Sequence, residues 1–278
     1  MTKKNRLIIF IVAALVLSGI TIGIDARFFS STRCNFRYYT LSSSKISANM
    51  SGMSIVCLSD IEYGTYMDKD RLSRIITKLN RMDPDVVIIL GDLYDKNYSP
   101  NEQDREDMKE LLGSLSATEG KFAVYGDYDQ GKEEILAEDY FASGFEVLSN
   151  EVISLHHNTS DYIYLIALDY NIGDQITIND LYSNLNTDTY RITISHYPDV
   201  ASLIPLNSTD IFVAGNGHSS QINFPLFNKA DETGSTSFST GLHYYNDFVI
   251  YASRGLGTTG TDARLFSDPE LYFFRINN

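Results

Sequence analysis

The sequence predicts an α/β domain, with one mixed sheet or two packed sheets covered by helices, behind a single apolar N-terminal segment. Three observations carry this. From Ser54 onward, apolar runs of strand length alternate with segments whose apolar residues recur at helical spacing. The second half is richer in strand-like runs, several of them ending in polar residues. The first thirty residues differ from the rest, with a basic start followed by the uncharged run LIIFIVAALVLSGITIGI at residues 7–24.

That run is long enough to cross a bilayer core as a helix. Lys3, Lys4 and Arg6 precede it and Asp25 follows it, which keeps the N-terminus in the cytoplasm and sends the rest across the membrane. A cleaved signal peptide is the competing reading, but no clean small-x-small cleavage site stands before Asp25, and the run is long for a signal core. Residues 1–26 are therefore expected to form a cytoplasmic N-terminus and membrane anchor, with everything beyond on the extracytoplasmic side.

Residues 27–53 are polar and Ser-rich, with one strand expected in FRYYTLSSSKI as a lead-in or edge. The main domain is expected over 54–278. SIVCLSD is an apolar strand ending in Asp60. KDRLSRIITKLNRM places Leu72, Ile75, Ile76 and Leu79 on one helical face. DPDVVIILGD is a second buried strand, with Pro84 ending the helix and Asp92 at the strand's far end. A helix around Met108–Leu115 leads to the strand KFAVYGD, and KEEILAEDYFASG is a helix closed by Gly144. FEVLSNEVISLHH and DYIYLIALDY are expected as successive strands, followed by a short helix near INDLYSNL. YRITISH and TDIFVAGNGH are strands that deliver polar residues at their ends. GLHYYNDFVIYASRG is a hairpin turning at Asn246–Asp247.

A net charge of −14 argues against a nucleic-acid partner, because a polyanion needs a basic surface to release its counterions. An acidic protein still binds phosphate when metal ions supply local positive charge. The two cysteines, Cys34 and Cys57, lack metal-ligand spacing, and Cys57 sits inside an apolar strand as a small hydrophobe.

The polar residues fall in a pattern. Asp60 and Glu62, Asp92, Asp127 and Asp129, His196, and Asn216 and His218 all stand at or just beyond C-terminal strand ends. In α/β sheets that edge is where ligands bind. Carboxylates crowded together raise one another's pKa unless cations neutralise them. Oxygen and imidazole donors arriving from separate strands suit a pair of divalent ions.

The blocks LSDIEYG, PDVVIILGD, VYGDYD, ISHYPD and AGNGHSSQI resemble, in order and approximate spacing, the signature blocks of the calcineurin-like metallophosphoesterases. SRGLG at Ser253–Gly257 is similar to a segment of the membrane-anchored bacterial branch. The resemblance runs from Ser54 to Ile276. It implies a four-layer αββα sandwich, two mixed sheets between helices, with two metal ions at the strand ends. It also implies hydrolysis of a phosphomonoester or phosphodiester by metal-activated water.

Carried over block by block, the resemblance assigns Asp60, Glu62, Asp92 and His218 to one ion and Asp92, Asp127, His196 and Asn216 to the other, with Asp92 bridging. Tyr128 and Asp129 are the expected catalytic groups, and Arg254 the expected substrate contact. The sequence departs from the family pattern at several positions. Glu62 stands for a histidine, Asp127 for an asparagine, Tyr128 for a histidine and Asn216 for a histidine. Each replacement at a ligand position still offers oxygen to a cation, and the harder set favours Mn²⁺, Mg²⁺ or Ca²⁺ over Zn²⁺. Three readings stay open: a working, carboxylate-rich phosphoesterase, a fold kept as a non-catalytic binding module, and a Ca²⁺-binding structural domain. The anchor places any phosphoester substrate near the membrane, as a lipid-linked or cell-envelope molecule.

Overall fold

A computed structural model describes residues 2–216, 221–223 and 237–278. The chain begins with helix α1, Lys3–Ile24, whose residues are all exposed along its length. It is long and apolar enough to cross a membrane. A π-helical turn, Asp25–Phe29, and a 3-10 turn, Ser30–Thr32, then lead to strand β1, Asn35–Ser42.

The strand and helix runs read from the sequence follow in order: β2 (Ser54–Leu58), α2 (Lys69–Asn80), β3 (Val86–Leu90), α3 (Glu102–Gly113), β4 (Gly120–Val124) and α4 (Glu133–Ala142). Asp68 starts α2 by accepting the Arg71 N–H at 2.7 Å. Asn101 and Asp104 form a reciprocal capping box on α3. The second half contains β5 (Glu146–Val147), β6 (Glu151–His156), β7 (Tyr162–Ala167), α5 (Gln175–Ser183), β8 (Arg191–Ser195) and β9 (Ile211–Ala214). It closes with β10 (Gly241–Tyr245), β11 (Phe248–Ala252) and β12 (Glu270–Asn277).

These strands make two six-stranded mixed sheets, ordered β1-β12-β2-β3-β4-β5 and β10-β11-β9-β8-β7-β6. In the first, β2 to β5 run parallel, while β12 is antiparallel to β2 and parallel to β1. In the second, β7, β8, β9 and β11 are parallel, with antiparallel edges β6 and β10.

Alternation along the strands builds the layers. In β2 and β3, Ile55, Cys57, Val86 and Ile88 face a core shared with Leu165, Ile192 and Val213 of the second sheet. Val56, Leu58, Val87 and Ile89 point the other way, onto Leu72, Ile76, Met108 and Leu112 of α2 and α3. Ile166, Phe212 and Ile250 pack on Ile178 of α5. A strand covered on both faces has no solvent side, so these runs are apolar throughout. The result is the four-layer αββα sandwich, preceded by one apolar helix.

Two expectations are corrected. FEVLSNEVISLHH is not one strand: β5 ends the first sheet and β6 is the edge of the second, so the chain changes sheets through Ser149 and Asn150 (φ +48°). The sequence reading assigned no element to Glu270–Asn277, yet β12 lies between β1 and β2 and ties residues 35–42 into the sheet.

Candidate metal centre

The parallel strands of both sheets end at a common edge. The His196 Nδ1 at the end of β8 lies 2.6 Å from the Leu90 carbonyl at the end of β3, which links the two sheets. This contact orients the ring and turns Nε2 towards Asp92 Oδ2 at 3.4 Å and Asp127 Oδ1 at 3.2 Å. Ligand atoms of Asp60, Asp92 and His196 all lie within 4.8 Å of one another, and all three residues are fully buried. Asp60, Glu62, Asp92 and Asn216 each adopt a left-handed backbone, with φ of 50°, 51°, 56° and 43°. Such conformations are uncommon away from glycine and concentrate at functional sites.

Backbone closeness makes this convergence possible. A Cβ at Gly126 would overlap Asp92 Oδ1, so only glycine lets the β4 loop approach the β3 loop. A Cβ at Gly257 would lie 2.6 Å from the Glu62 Cβ, which explains the second glycine of SRGLG.

Asp129 is fully buried and accepts the N–H groups of Asp92 (2.9 Å), Leu93 (3.2 Å) and Gly126 (2.8 Å). Burial and then Asp92 push its carboxyl up to about 7, against the backbone hydrogen bonds that pull it down. Its geometry holds the backbone that carries Asp92. Tyr128 donates its backbone N–H to Asp92 Oδ1 at 3.0 Å. Its phenol is held well above its ordinary value, first by burial, then by Glu62, Asp92, Asp127 and Asp60. One hydroxyl therefore senses four carboxylates drawn from three loops. For His196, burial lowers the pKa, but Asp92, Asp127 and Asp60 outweigh it and raise the imidazole well above its usual range.

The structure brings Asp60, Glu62, Asp92, Asp127, Tyr128 and His196 together. Asn216 is buried at the end of β9, next to Gly215, where a Cβ would press on Leu90 and His196. His218 lies outside the described residues. Arg254 is placed elsewhere. Its guanidinium approaches Glu270 at 3.9 Å and lines a cavity beside the end of α1.

Four residues that the sequence reading did not select belong to this region. The Lys96 ammonium lies 5.1 Å from the centroid of the Tyr128 ring. The Tyr170 and Tyr197 rings lie 6.4 and 5.3 Å from that of His196 and line a cavity of about 210 Å³. The Tyr197 phenol is raised by burial, then by the charge of Asp127 and a hydrogen bond to it.

Arg264 is the fourth, buried behind the centre. It donates to the carbonyls of Gly257 (Nε 3.1 Å, Nη2 2.6 Å), Ser267 (3.1 Å) and Arg254 (2.9 Å). Burial pulls its guanidinium down to about 10, while Glu62 and Asp60 push it back up. It remains a cation at neutral pH, facing two of the carboxylates through the SRGLG backbone. Tyr197 directly follows His196, so adjacency was the available signal. Nothing local in the sequence marks Arg264.

The donor atoms and the charge of this centre suit the same kind of guest. Asp60, Asp92 and His196 meet at one spot, with the buried Glu62 and the partly exposed Asp127 around them and the buried Arg264 guanidinium behind two of the carboxylates. Hard divalent ions fit that set.

Two mixed sheets between helices, with carboxylate and imidazole donors gathered at the shared strand edge, make the architecture of a metal-dependent phosphoesterase. The sequence profile of the calcineurin-like phosphoesterases matches residues 53–229, and the chain belongs to that dimetal-dependent family. The uncharacterized metallophosphoesterase YkuE of Bacillus subtilis is 26% identical over 243 residues, 86% of this chain and 84% of its own. The uncharacterized metallophosphoesterase Cj0846 of Campylobacter jejuni is 29% identical over 81% of this chain and 59% of its own. A transmembrane protein with metallophosphoesterase domain from Danio rerio is 28% identical over 82% and 54%. The chain thus spans most of the Bacillus relative and little more than half of the other two.

Proposed function

We propose that this chain is a membrane-anchored phosphoesterase acting through a carboxylate-rich pair of divalent metal ions, with its domain on the extracytoplasmic side. The single observation that carries the reading is the meeting of Asp60, Asp92 and His196, from three strands and both sheets, with ligand atoms within 4.8 Å. Asp60, Glu62 and Asp92, with His218, are the donors for one ion. Asp92, Asp127, His196 and Asn216 serve the other. Bound ions would polarise the phosphoryl group and activate water. Oxygen-rich ligation favours Mn²⁺, Mg²⁺ or Ca²⁺ over Zn²⁺.

The chain's own residues do the rest. Asp129 holds the Asp92 loop in place through three N–H groups. Tyr128 stays protonated at neutral pH and offers a hydrogen bond to an anionic oxygen of the substrate rather than a mobile proton. Lys96 stands over the Tyr128 ring and adds positive charge in front of the carboxylates, where a phosphate would approach. The cavity walled by Tyr170 and Tyr197 receives part of the ester beside His196. Lys3, Lys4 and Arg6 ahead of α1 support the orientation, and proximity to the bilayer favours a lipid-linked or cell-envelope phosphoester.

The full chain, purified in detergent, is to be assayed with Mn²⁺ on bis(p-nitrophenyl) phosphate, alongside metal analysis. Turnover that falls about 10³-fold in Asp92→Asn, together with loss of bound metal, is the expected result. Metal binding without any turnover would leave a non-catalytic module. Turnover unaffected by Asp92→Asn would remove the centre described here from the chemistry.

A further inference from the structure

The junction between α1 and the domain is built, not slack. The Ala26 carbonyl accepts the Arg264 N–H at 2.9 Å, Arg27 pairs with Asp262 at 2.5 Å, and Ser30 donates to Asp268 at 2.6 Å. Arg71 donates to the Ser31 carbonyl, and the Asn35 N–H to Pro269 at 2.8 Å. These bonds hold residues 25–35 against the domain and border an open cavity of about 590 Å³ between it and the last turn of the helix. The volume falls within the range of small-molecule sites, about 300–1,000 Å³.

The composition of the walls sets the depth and chemistry of this cavity. One wall is Thr21 and Ile22 of α1. At a rise of about 1.5 Å per residue, the 22 residues of α1 span roughly the hydrocarbon core, which puts these two at its boundary. Phe28, Phe29 and Phe266 are 61%, 57% and 55% exposed around the same junction, as side chains that dip into an interface are. The facing wall carries Arg33, Arg37 and Arg254, with Asp25 and Asp268 beside them. Arg33 pairs with Asp25 and lies 3.6 Å from Asp268. Arg37 and Arg254 lie 3.0 and 3.9 Å from Glu270. A purely anionic guest would meet the aspartates as well as the arginines. A guest carrying both a phosphate and an ammonium satisfies both.

We propose that this cavity seats the zwitterionic headgroup of one aminophospholipid from the leaflet into which α1 emerges. Its phosphate lies towards Arg33, Arg37 and Arg254, its ammonium towards Asp25 and Asp268, and its acyl chains run along Thr21 and Ile22. The lipid completes the junction and fixes the tilt of the domain on the bilayer. This rests on the anchor reading of α1 and is separate from the metal centre, to which none of the cavity's side chains belongs.

The test uses the full chain in nanodiscs of phosphatidylethanolamine and phosphatidylglycerol at 3:1, exchanged into mild detergent and examined by native mass spectrometry. The expected result is one retained phosphatidylethanolamine per chain, enriched over its bulk fraction. Retention should fall at least about tenfold in the Arg33→Gln/Arg254→Gln double variant, the scale of one lost charge-assisted hydrogen bond, and stay unchanged in Arg275→Gln. An integral chain that retains no phosphatidylethanolamine, retains it without enrichment, or retains it equally in the double variant overturns the proposal. A chain released from membranes by alkaline carbonate overturns the anchor reading and this one with it. Matching circular dichroism of the double variant separates lost retention from misfolding.

Discussion

Asp129 is a carboxylate committed to backbone N–H groups, unlike its neighbours in the candidate metal centre. Asp129→Asn keeps a single acceptor oxygen, so with that oxygen on Asp92 and Gly126 the amide NH₂ confronts the Leu93 N–H. A loss of about 1–3 kcal/mol in urea denaturation is expected, together with weaker Mn²⁺ binding and an unshifted pH profile of the remaining activity. An altered alkaline limb would instead mark Asp129 as a proton donor. Lys96→Ala should raise KM about tenfold and leave kcat within a few-fold, because the ammonium guides the anion without touching the ligands. The cysteines supply the pH test. Burial pushes the Cys34 thiol up to about 12 and that of Cys57 higher still. Thiols raised in the folded state contribute stability that is fully present below their unfolded value of 9.0 and lost as pH climbs towards 12. Native protein should therefore resist iodoacetamide at pH 8, react only when unfolded, and lose stability above pH 9.

At the scale of elements, the site depends on loops that leave parallel strands and on one clamp from outside them. SRGLG passes so close to Asp60 and Glu62 that its carbonyls point away, into a buried space that Arg264 fills. Arg264→Met would leave those carbonyls without donors and remove the cation that offsets two carboxylates. The expected cost is about 3–5 kcal/mol, the scale of breaking a buried charge arrangement. Arg264→Lys should recover part of the stability but little of the metal affinity, since an ammonium lacks the planar fork. Isothermal titration with Mn²⁺ and denaturant melts read the two effects separately. The helices and most strands were legible because period and length are local properties. The division of FEVLSNEVISLHH between two sheets was not, because a strand's partner is chosen by what else packs there. The run LYFF of β12 reads as apolar in any setting, and only its pairing with β1 and β2 gives it a role.

Across the whole molecule, the crowded carboxylates make folding and cation binding one problem. Saturating the site with Mn²⁺ at about 100 times its Kd should add about 2.7 kcal/mol per ion, visible as a rise of several degrees in Tm that EDTA reverses. No shift on metal addition would mean that the donors are satisfied without ions. The chain carries a net charge of −14, and one of its buried cations, Arg264, sits where the carboxylates converge. A protein that meets anionic substrates through such a surface relies on local positive charge, and its KM should rise with any loss of metal.

The sequence by itself determined the apolar helix, the α/β alternation and the ordered blocks that place Asp60, Asp92, Asp127 and His196 at strand ends. Each of those depends on neighbours within a few residues. Only the tertiary structure decided that these ends meet, that Asp129 turns to the backbone, and that Arg254 leaves the centre for the helix junction. It alone showed that Arg264 stands behind two of the carboxylates. These are matters of which surfaces exclude water together, and a buried charge is positioned by packing from every side rather than by the residues next to it in the chain.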